Sequence, residues 1–568
     1  MAAGRASYEI QALHDGHWLT QDIRETENSA RSLAAKVLAK HTCQGVRVVK
    51  NWQRADGMVT ENVIYTEMRS VEAPKVTIVP IDDAPMCQKA HDYYRLESRI
   101  TINRLFRKYL EKAVLTPTEL IHNYRELKRV QDVDTLFPAA VDRVATIQAR
   151  VAGGEARTRR DGIYHKVAEL TQRARTAEEH AGLPTLKGND FGKVVSKVER
   201  IVVPDEVGFY SLVALSRDLV EHRNWLGKLD RLVELTDPGQ RDEVIALLDG
   251  VIADVLGVPA ALQDILGYQR SLAQALCSIA DLCEGHFAAE TSDARDQIAV
   301  LGPLIAKGRL EETRKSLMGR LLQQLSGAQP LNRADPSRER EAFGEVARRL
   351  FRPEGFLGGP PTAEALTRRY LYLIEEGGKA ALRQSVGGVV SLISDAHFGV
   401  VYLVDLAASA LGEELMPQIL GALRQVVRVD HIDDLVAPAW PLRDKLLRVT
   451  RLYDYIGGSS SLPQAERAEL QDSLDSLLVA FLKRERIVER LDDPAAPLRD
   501  RATRLMEFCA AHVLPAASRA QSLTRERVVA LIRQPNFEQH YIDGISNPAQ
   551  AETMLRNLHA LMARAGFH

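Results

Sequence analysis

Two hydrophobic periods divide this chain. Near the start, Tyr8, Ile10 and Ala12 are separated by polar neighbours, the period-two pattern of a strand with one buried face. Asp15-Gly16 supplies the positive-φ positions of a tight hairpin turn, and residues 18–23 return as a second strand. Thr26 or Asn28 caps a helix whose apolar face is Leu33, Val37 and Leu38. Gly45 closes that segment, Val46, Val48 and Trp52 open a third strand, and Asp56-Gly57 marks a second turn. Residues 59–68, with Val63 and Tyr65 alternating, form the fourth strand. The order predicts a ββαββ domain over residues 1–70: a four-stranded antiparallel sheet with one helix across one face.

Residues 71–88 carry Pro74, Pro80 and Pro85, a density that prevents a helix and predicts an extended connector. Helix begins near Lys89, and from Pro138 onward apolar positions recur at three- and four-residue steps, broken by Gly153-Gly154, Pro238-Gly239 and Gly457-Gly458. Residues 326–338, with a glycine and two prolines, read as a linker between helical domains at 89–325 and 339–568. The predicted class is therefore mainly α with a small α+β head, the helices forming two bundles or arrays. A fixed register sets Leu248 on Leu474, Asp249 on Asp475, Cys283 on Cys509 and His286 on His512, which makes the second domain a candidate distant repeat of the first. Amphipathic period alone also generates such matches.

Composition narrows the function classes. Among 568 residues, apolar and charged shares of 45% and 26% are those of an ordinary globular protein. A formal charge of −2 gives no global field for nucleic acid or anionic membrane. Residues 1–10 place polar side chains where a signal peptide has its apolar core. The apolar run at 386–411 is interrupted by Asp395, His397 and Asp405, so it reads as buried helix and no membrane span is expected. Five scattered cysteines fit free thiols in a reducing cytoplasm, and the excess of arginine over lysine suggests a bacterial genome.

Three residue groups could carry chemistry. Arg95, Arg99, Arg104, Arg107 and Lys108, interleaved with Tyr93, Tyr94, Phe106 and Tyr109, form the candidate anion-binding segment. The ordinary alternative is a solvated helix face with its aromatics in the core. Asp430, His431, Asp433 and Asp434 are the densest acid–histidine cluster and a candidate metal site, though the segment also reads as an interhelical turn. Ser394, His397 and Tyr402, near Gly387-Gly388, interrupt an apolar helix pair with polar groups and are candidate ligand contacts. Gly377-Gly378-Lys379 lacks the upstream glycine and the following hydroxyl of a phosphate loop. No serine-hydrolase elbow, zinc helix, dinucleotide fingerprint or kinase loop is present, and no cofactor is implied.

These features predict a cytosolic, non-enzymatic adaptor or scaffold that mediates protein–protein interactions in bacterial signalling or regulation. The alternative is a small-ligand sensor with its pocket in the second helical domain. A metal-dependent enzyme and a nucleic-acid-binding protein rank behind both. Protein partners are expected, and the sequence is compatible with a homo-oligomer.

Overall fold

The computed structural model describes residues 5–14, 17–40, 43, 45–53, 59–68, 77–133, 135–290, 292–352, 355–393 and 395–567. Residues 1–77 form one compact unit and residues 78–568 another. In the first unit, strands β1 (Arg5–His14), β2 (His17–Arg24), β3 (Gly45–Gln53) and β4 (Val59–Met68) pair antiparallel in the order β2-β1-β3-β4. The sequence turns Asp15-Gly16 and Asp56-Gly57 lie outside the described residues. Helix α1 (Glu27–Ala39) follows β2, and Thr26 rather than Asn28 caps it, its Oγ1 accepting the Ser29 N–H at 3.4 Å. The register sets Ile10 opposite Val48 and Ala12 opposite Val46. Alternation then sends these four side chains to one face, where they bury with Ala30 and Ala34 of α1.

The other sheet face is polar. Glu9 accepts hydrogen bonds from Gln11 Nε2 at 2.9 Å, from Thr20 Oγ1, and from Asn51 Nδ2 at 3.2 Å. The Gln11 and Thr20 hydrogen bonds hold its carboxyl below the ordinary range. Arg47 lies over the Trp18 ring at 4.5 Å. Strands β2 and β4 are the two edges, and they expose Leu19, Ile23, Val63 and Met68.

The second unit is helical. Its first part holds α2 (Leu96–Leu105), α3 (Arg107–Ala113), α4 (Pro117–His122), α5 (Tyr124–Gln131), α6 (Leu136–Ala152), α7 (Ala156–Glu179), α8 (Phe191–Val198) and α9 (Pro204–Leu219). The chain continues through α10 (Trp225–Leu235), α11 (Asp242–Leu256), α12 (Pro259–Leu266), α13 (Leu272–Cys283), α14 (Ser292–Ala306) and α15 (Glu311–Leu325). After residue 338 come α16 (Glu339–Leu350), the hairpin strands β5 (Phe351–Arg352) and β6 (Gly355–Phe356), α17 (Pro360–Leu373), α18 (Gly378–Leu392), α19 (Ala396–Ala407) and α20 (Gly412–Val427). The last elements are α21 (Ile432–Leu435), α22 (Leu442–Gly458), α23 (Gln464–Arg484), α24 (Ile487–Leu491), α25 (Leu498–Ala510), α26 (Arg519–Ile532), α27 (Phe537–Tyr541) and α28 (Pro548–Arg564). No single helix among the described residues is long and apolar enough to cross a membrane. The run at 386–411 is divided between α18 and α19, because Asp395 caps α19 by accepting the His397 N–H at 3.0 Å.

Two stretches with linker composition are pinned to the helices. Pro74 lies outside the described residues, but Ile81 is buried, and Arg143 Nε donates to its carbonyl at 2.7 Å. Gln148 donates to the Pro85 carbonyl at 2.6 Å. Within 326–338, Leu331 is fully buried and Glu339 accepts the N–H groups of Leu331 and Asn332 at 2.7 and 2.8 Å. Arg369 of α17, itself 1% exposed, donates to the carbonyls of Leu325 at 2.8 Å and Gln324 at 2.7 Å, closing the end of α15. One apolar core accordingly runs from Ala174 to Ala520, across the glycine–proline stretch.

The register between the two halves has a structural counterpart. Asp249 on α11 accepts the N–H groups of Glu312 and Thr313 at 2.8 and 2.9 Å, where α15 begins. Asp475 on α23 accepts those of Arg519 and Ala520 at 2.8 and 3.0 Å, where α26 begins. In both halves a buried aspartate caps a later helix across the interface. The matched cysteines and histidines differ in burial: Cys283 and Cys509 are buried at helix ends, whereas His286 and His512 are exposed.

Candidate anion-binding site

The basic segment folds into α2 and α3, and the helical period sorts its cations by face. Arg99 turns inward and is 5% exposed. Its Nε donates to Asp254 Oδ1 at 2.9 Å, its Nη1 to the Tyr94 carbonyl at 2.6 Å, and its Nη2 to the Gly250 carbonyl at 3.0 Å and Glu312 Oε2 at 2.6 Å. Burial opposes the charged guanidinium, but Asp254 and Glu312 outweigh it and hold the pKa above the ordinary arginine value. Asp254 also accepts the Thr118 N–H and hydroxyl at 2.9 and 2.6 Å, where α4 starts. Four hydrogen bonds thus commit this guanidinium group, and Arg99 ties α2 to α11 and α15.

Above that tie lies a cleft of about 340 Å³ between α2, the start of α12, and α15. Arg99, Arg104, Arg107 and Arg320 line it against the carboxylates of Asp254 and Glu111. Arg104 also reaches Asp83 and Arg107 reaches Glu111, each at 2.8 Å and each at the solvent boundary. Arg320, on α15, differs from them. Its Nε is buried without a hydrogen-bond partner, and burial together with the nearby Arg107 pulls its pKa below the ordinary arginine value. No side chain caps α12, whose N-cap Val258 and N1 Pro259 border the cleft, so the positive end of that helix dipole faces it too. Asn103, Ser316 and Gln323 supply neutral polar groups along the rim.

Protein-family models, curated proteins and solved structures were all compared with this chain, and none matches. The site is therefore read from its own chemistry. Three of the five cations expected to bind an anion, Arg99, Arg104 and Arg107, line the cleft. Arg95 instead pairs with Asp92 at 3.1 Å, and Lys108 lies on the exposed side of α3 outside the lining. Two of the interleaved aromatics are packed into the protein rather than offered for stacking on a base. Tyr94 packs on His122 and Phe209 with centroid separations of 5.2 and 5.6 Å, and Phe106 is buried. Arg320 escaped sequence reasoning because it lies far along the chain on an ordinary amphipathic helix. Its one local signal is Gly319, a mid-helix glycine that costs about 1 kcal/mol relative to alanine and here borders the cleft.

The expected metal cluster is an ion-pair network instead. Helix α21 is a single turn whose Ile432 and Leu435 enter the core, so its polar side chains fan outward. Asp433 accepts from Lys445 Nζ at 2.5 Å, His431 Nδ1 lies 2.5 Å from Arg484 Nη1, and Asp430 and Asp434 are exposed. Among the described residues no group of three or more His, Cys, Asp or Glu side chains is arranged to hold a metal ion. Of the expected ligand contacts, Ser394 lies outside the described residues. Tyr402 is fully buried, with its hydroxyl 2.8 Å from Thr367 Oγ1. His397 is buried beside Phe351, 5.8 Å between centroids, and its Nδ1 has no partner. The polar cavity nearest in sequence opens further along α19, beside Asp405, Asp454, Tyr455 and Ser459.

Proposed function

We propose that this chain is a non-enzymatic binding protein whose helical body takes a small phosphate-bearing anion in the cleft between α2, α12 and α15. The observation that carries this reading is Arg320, a half-buried guanidinium whose Nε is buried without a partner, in the lining of a cleft that three further arginines share. A desolvated cation without a counter-ion is costly, and an anion entering the cleft removes that cost. Guanidinium forks match phosphate oxygens bidentately, which favours phosphate over a monovalent halide. The lining argues for binding rather than turnover. Asp254 and Glu111 are both ion-paired, Ser316 Oγ donates to the Ala253 carbonyl at 3.2 Å, and among the described residues no histidine or cysteine lines the cleft.

Titration calorimetry of the full chain with inorganic pyrophosphate tests this. Saturable binding that weakens as salt rises, and that falls roughly tenfold to a hundredfold in Arg320→Gln, is the expected result. Absence of heat, or equal affinity in Arg320→Gln, refutes it.

A second reading, the protein-binding adaptor, rests on the head. Both edge strands of its sheet expose apolar side chains, Leu19 and Ile23 on β2 and Val63 and Met68 on β4. Unpaired edges of this kind accept an added strand from a partner. In the full chain, Ile23→Lys with Val63→Lys removes a partner that co-purifies stoichiometrically with the natural sequence. Retention of that partner by the doubly substituted chain rules out the head as its dock.

A further inference from the structure

Helix α2 has a second face. Positions 98, 101, 102 and 105 recur at three- and four-residue steps on the side opposite Arg99 and Asn103, and they wall a separate cavity of about 100 Å³. Helices α4 to α7 add to the wall, with Ile121, Val130, Val141 and Val167 among the contributors, and Ala84, Pro85, Cys87, Tyr93 and Phe106 complete it. The lining is apolar apart from Cys87, Tyr93, Ser98, Thr101 and Gln148, and the last three spend hydrogen bonds within the wall. Ser98 Oγ donates to the Asp92 carbonyl at 2.7 Å, Thr101 Oγ1 to the Glu97 carbonyl at 2.8 Å, and Gln148 Nε2 to the Pro85 carbonyl at 2.6 Å. Cys87 Sγ lies 3.4 Å from Ser98 Oγ.

Water needs several polar partners to occupy a cavity, and this wall offers none of those three groups to it. An apolar void also leaves its lining side chains without dispersion partners on one side. Both facts select a guest made of hydrocarbon. An engineered apolar cavity of about 150 Å³ takes benzene or xenon, which sets the size class. We propose that the cavity between α2 and α4–α7 is a binding site for a small hydrocarbon group, either a free molecule about as large as benzene or the end of an acyl chain. The site is separate from the arginine cleft and holds whether or not that cleft binds an anion.

Xenon, benzene and octanoate are the probes, used with the full-length chain. A saturable xenon-129 shift is expected, with benzene displacing it. Ala140→Leu, which pushes a larger side chain into the cavity from α6, weakens the xenon interaction by about tenfold or more. A shift that grows linearly with xenon pressure, or a saturable one unchanged in Ala140→Leu, overturns the proposal. Cys87 supplies a readout that needs no substitution, because its half-buried thiol is part of the wall. Benzene slows its modification by methyl methanethiosulfonate, measured by peptide mass spectrometry, and an unaltered rate overturns the proposal as well. Octanoate protecting Cys87 assigns the guest as a chain end, and protection by benzene alone assigns a free small molecule.

Discussion

Glu119 and Lys228 form an ion pair with side-chain exposures of 0% and 1%, tying α4 to α10. Each charge has lost its hydration, so the pair stabilises the fold only while both members are present. Glu119 has a second duty that survives conservative substitution: its Oε2 accepts the Thr116 N–H at 2.9 Å in a capping box, and a glutamine carbonyl can keep that bond. Lys228→Met leaves a buried carboxylate without its cation, and Glu119→Gln leaves a buried ammonium facing a neutral amide. Either single change is expected to cost about 3–5 kcal/mol. That is a large share of a total stability on the order of 5–15 kcal/mol. The double variant Glu119→Gln, Lys228→Met removes both charges and keeps the cap, so it recovers most of the loss and leaves a coupling energy of about 3 kcal/mol or more. Urea unfolding of the four proteins, followed by far-ultraviolet circular dichroism, closes the cycle. Single substitutions that cost under about 1 kcal/mol and add independently would refute the reasoning, because they would mean that water reaches the pair.

Acid stability follows from two buried histidines. Burial pulls His122 down to about 3 despite its hydrogen bond to the Thr118 carbonyl, and burial with the nearby Arg448 and Arg451 pulls His397 down to about 3. Both groups have folded values below their unfolded ones, so the unfolded chain binds protons first. Their stabilising contribution is complete above about pH 6.5 and is lost as pH falls toward 3, by about 1.4 kcal/mol per unit for each group. His122→Gln is expected to narrow the stability gap to the natural protein by about 3 kcal/mol between pH 7.5 and 4.5, and parallel pH profiles in urea would contradict this. His397→Gln is expected to behave alike, with the same assay and the same refuting outcome.

The ββαββ order of the head was legible in the sequence because a period-two pattern leaves one choice of buried face, and Ile10, Ala12, Val46 and Val48 occupy it. The helical character of the remainder was legible for the analogous reason at period 3.6. Composition misrepresented the joints. Residues 326–338 look like a linker because only Leu331 among them reaches deep into the core, and the groups that hold them, Glu339 at Leu331 and Asn332 and Arg369 at the Gln329 carbonyl, lie outside the stretch. The site was half legible. Local charge density found Arg104 and Arg107 but also marked Arg95 and Lys108, which the helical period turns elsewhere, and it could not find Arg320. Density also overvalued residues 430–434, where Lys445 and Arg484 arrive from other helices to pair with Asp433.

The Arg99 tie also sets a timetable. Asp254 follows Arg99 by 155 residues and Glu312 by 213. At a synthesis rate of about 5–20 residues per second, the second carboxylate emerges roughly 10–40 s after the guanidinium it will hold. Throughout that interval the cationic face of α2 lacks its full set of partners, whereas α4–α7, which wall its apolar face, are complete by residue 179. The cationic face of this early helix is therefore locked late, and its full tie forms only once both α11 and α15 have been made.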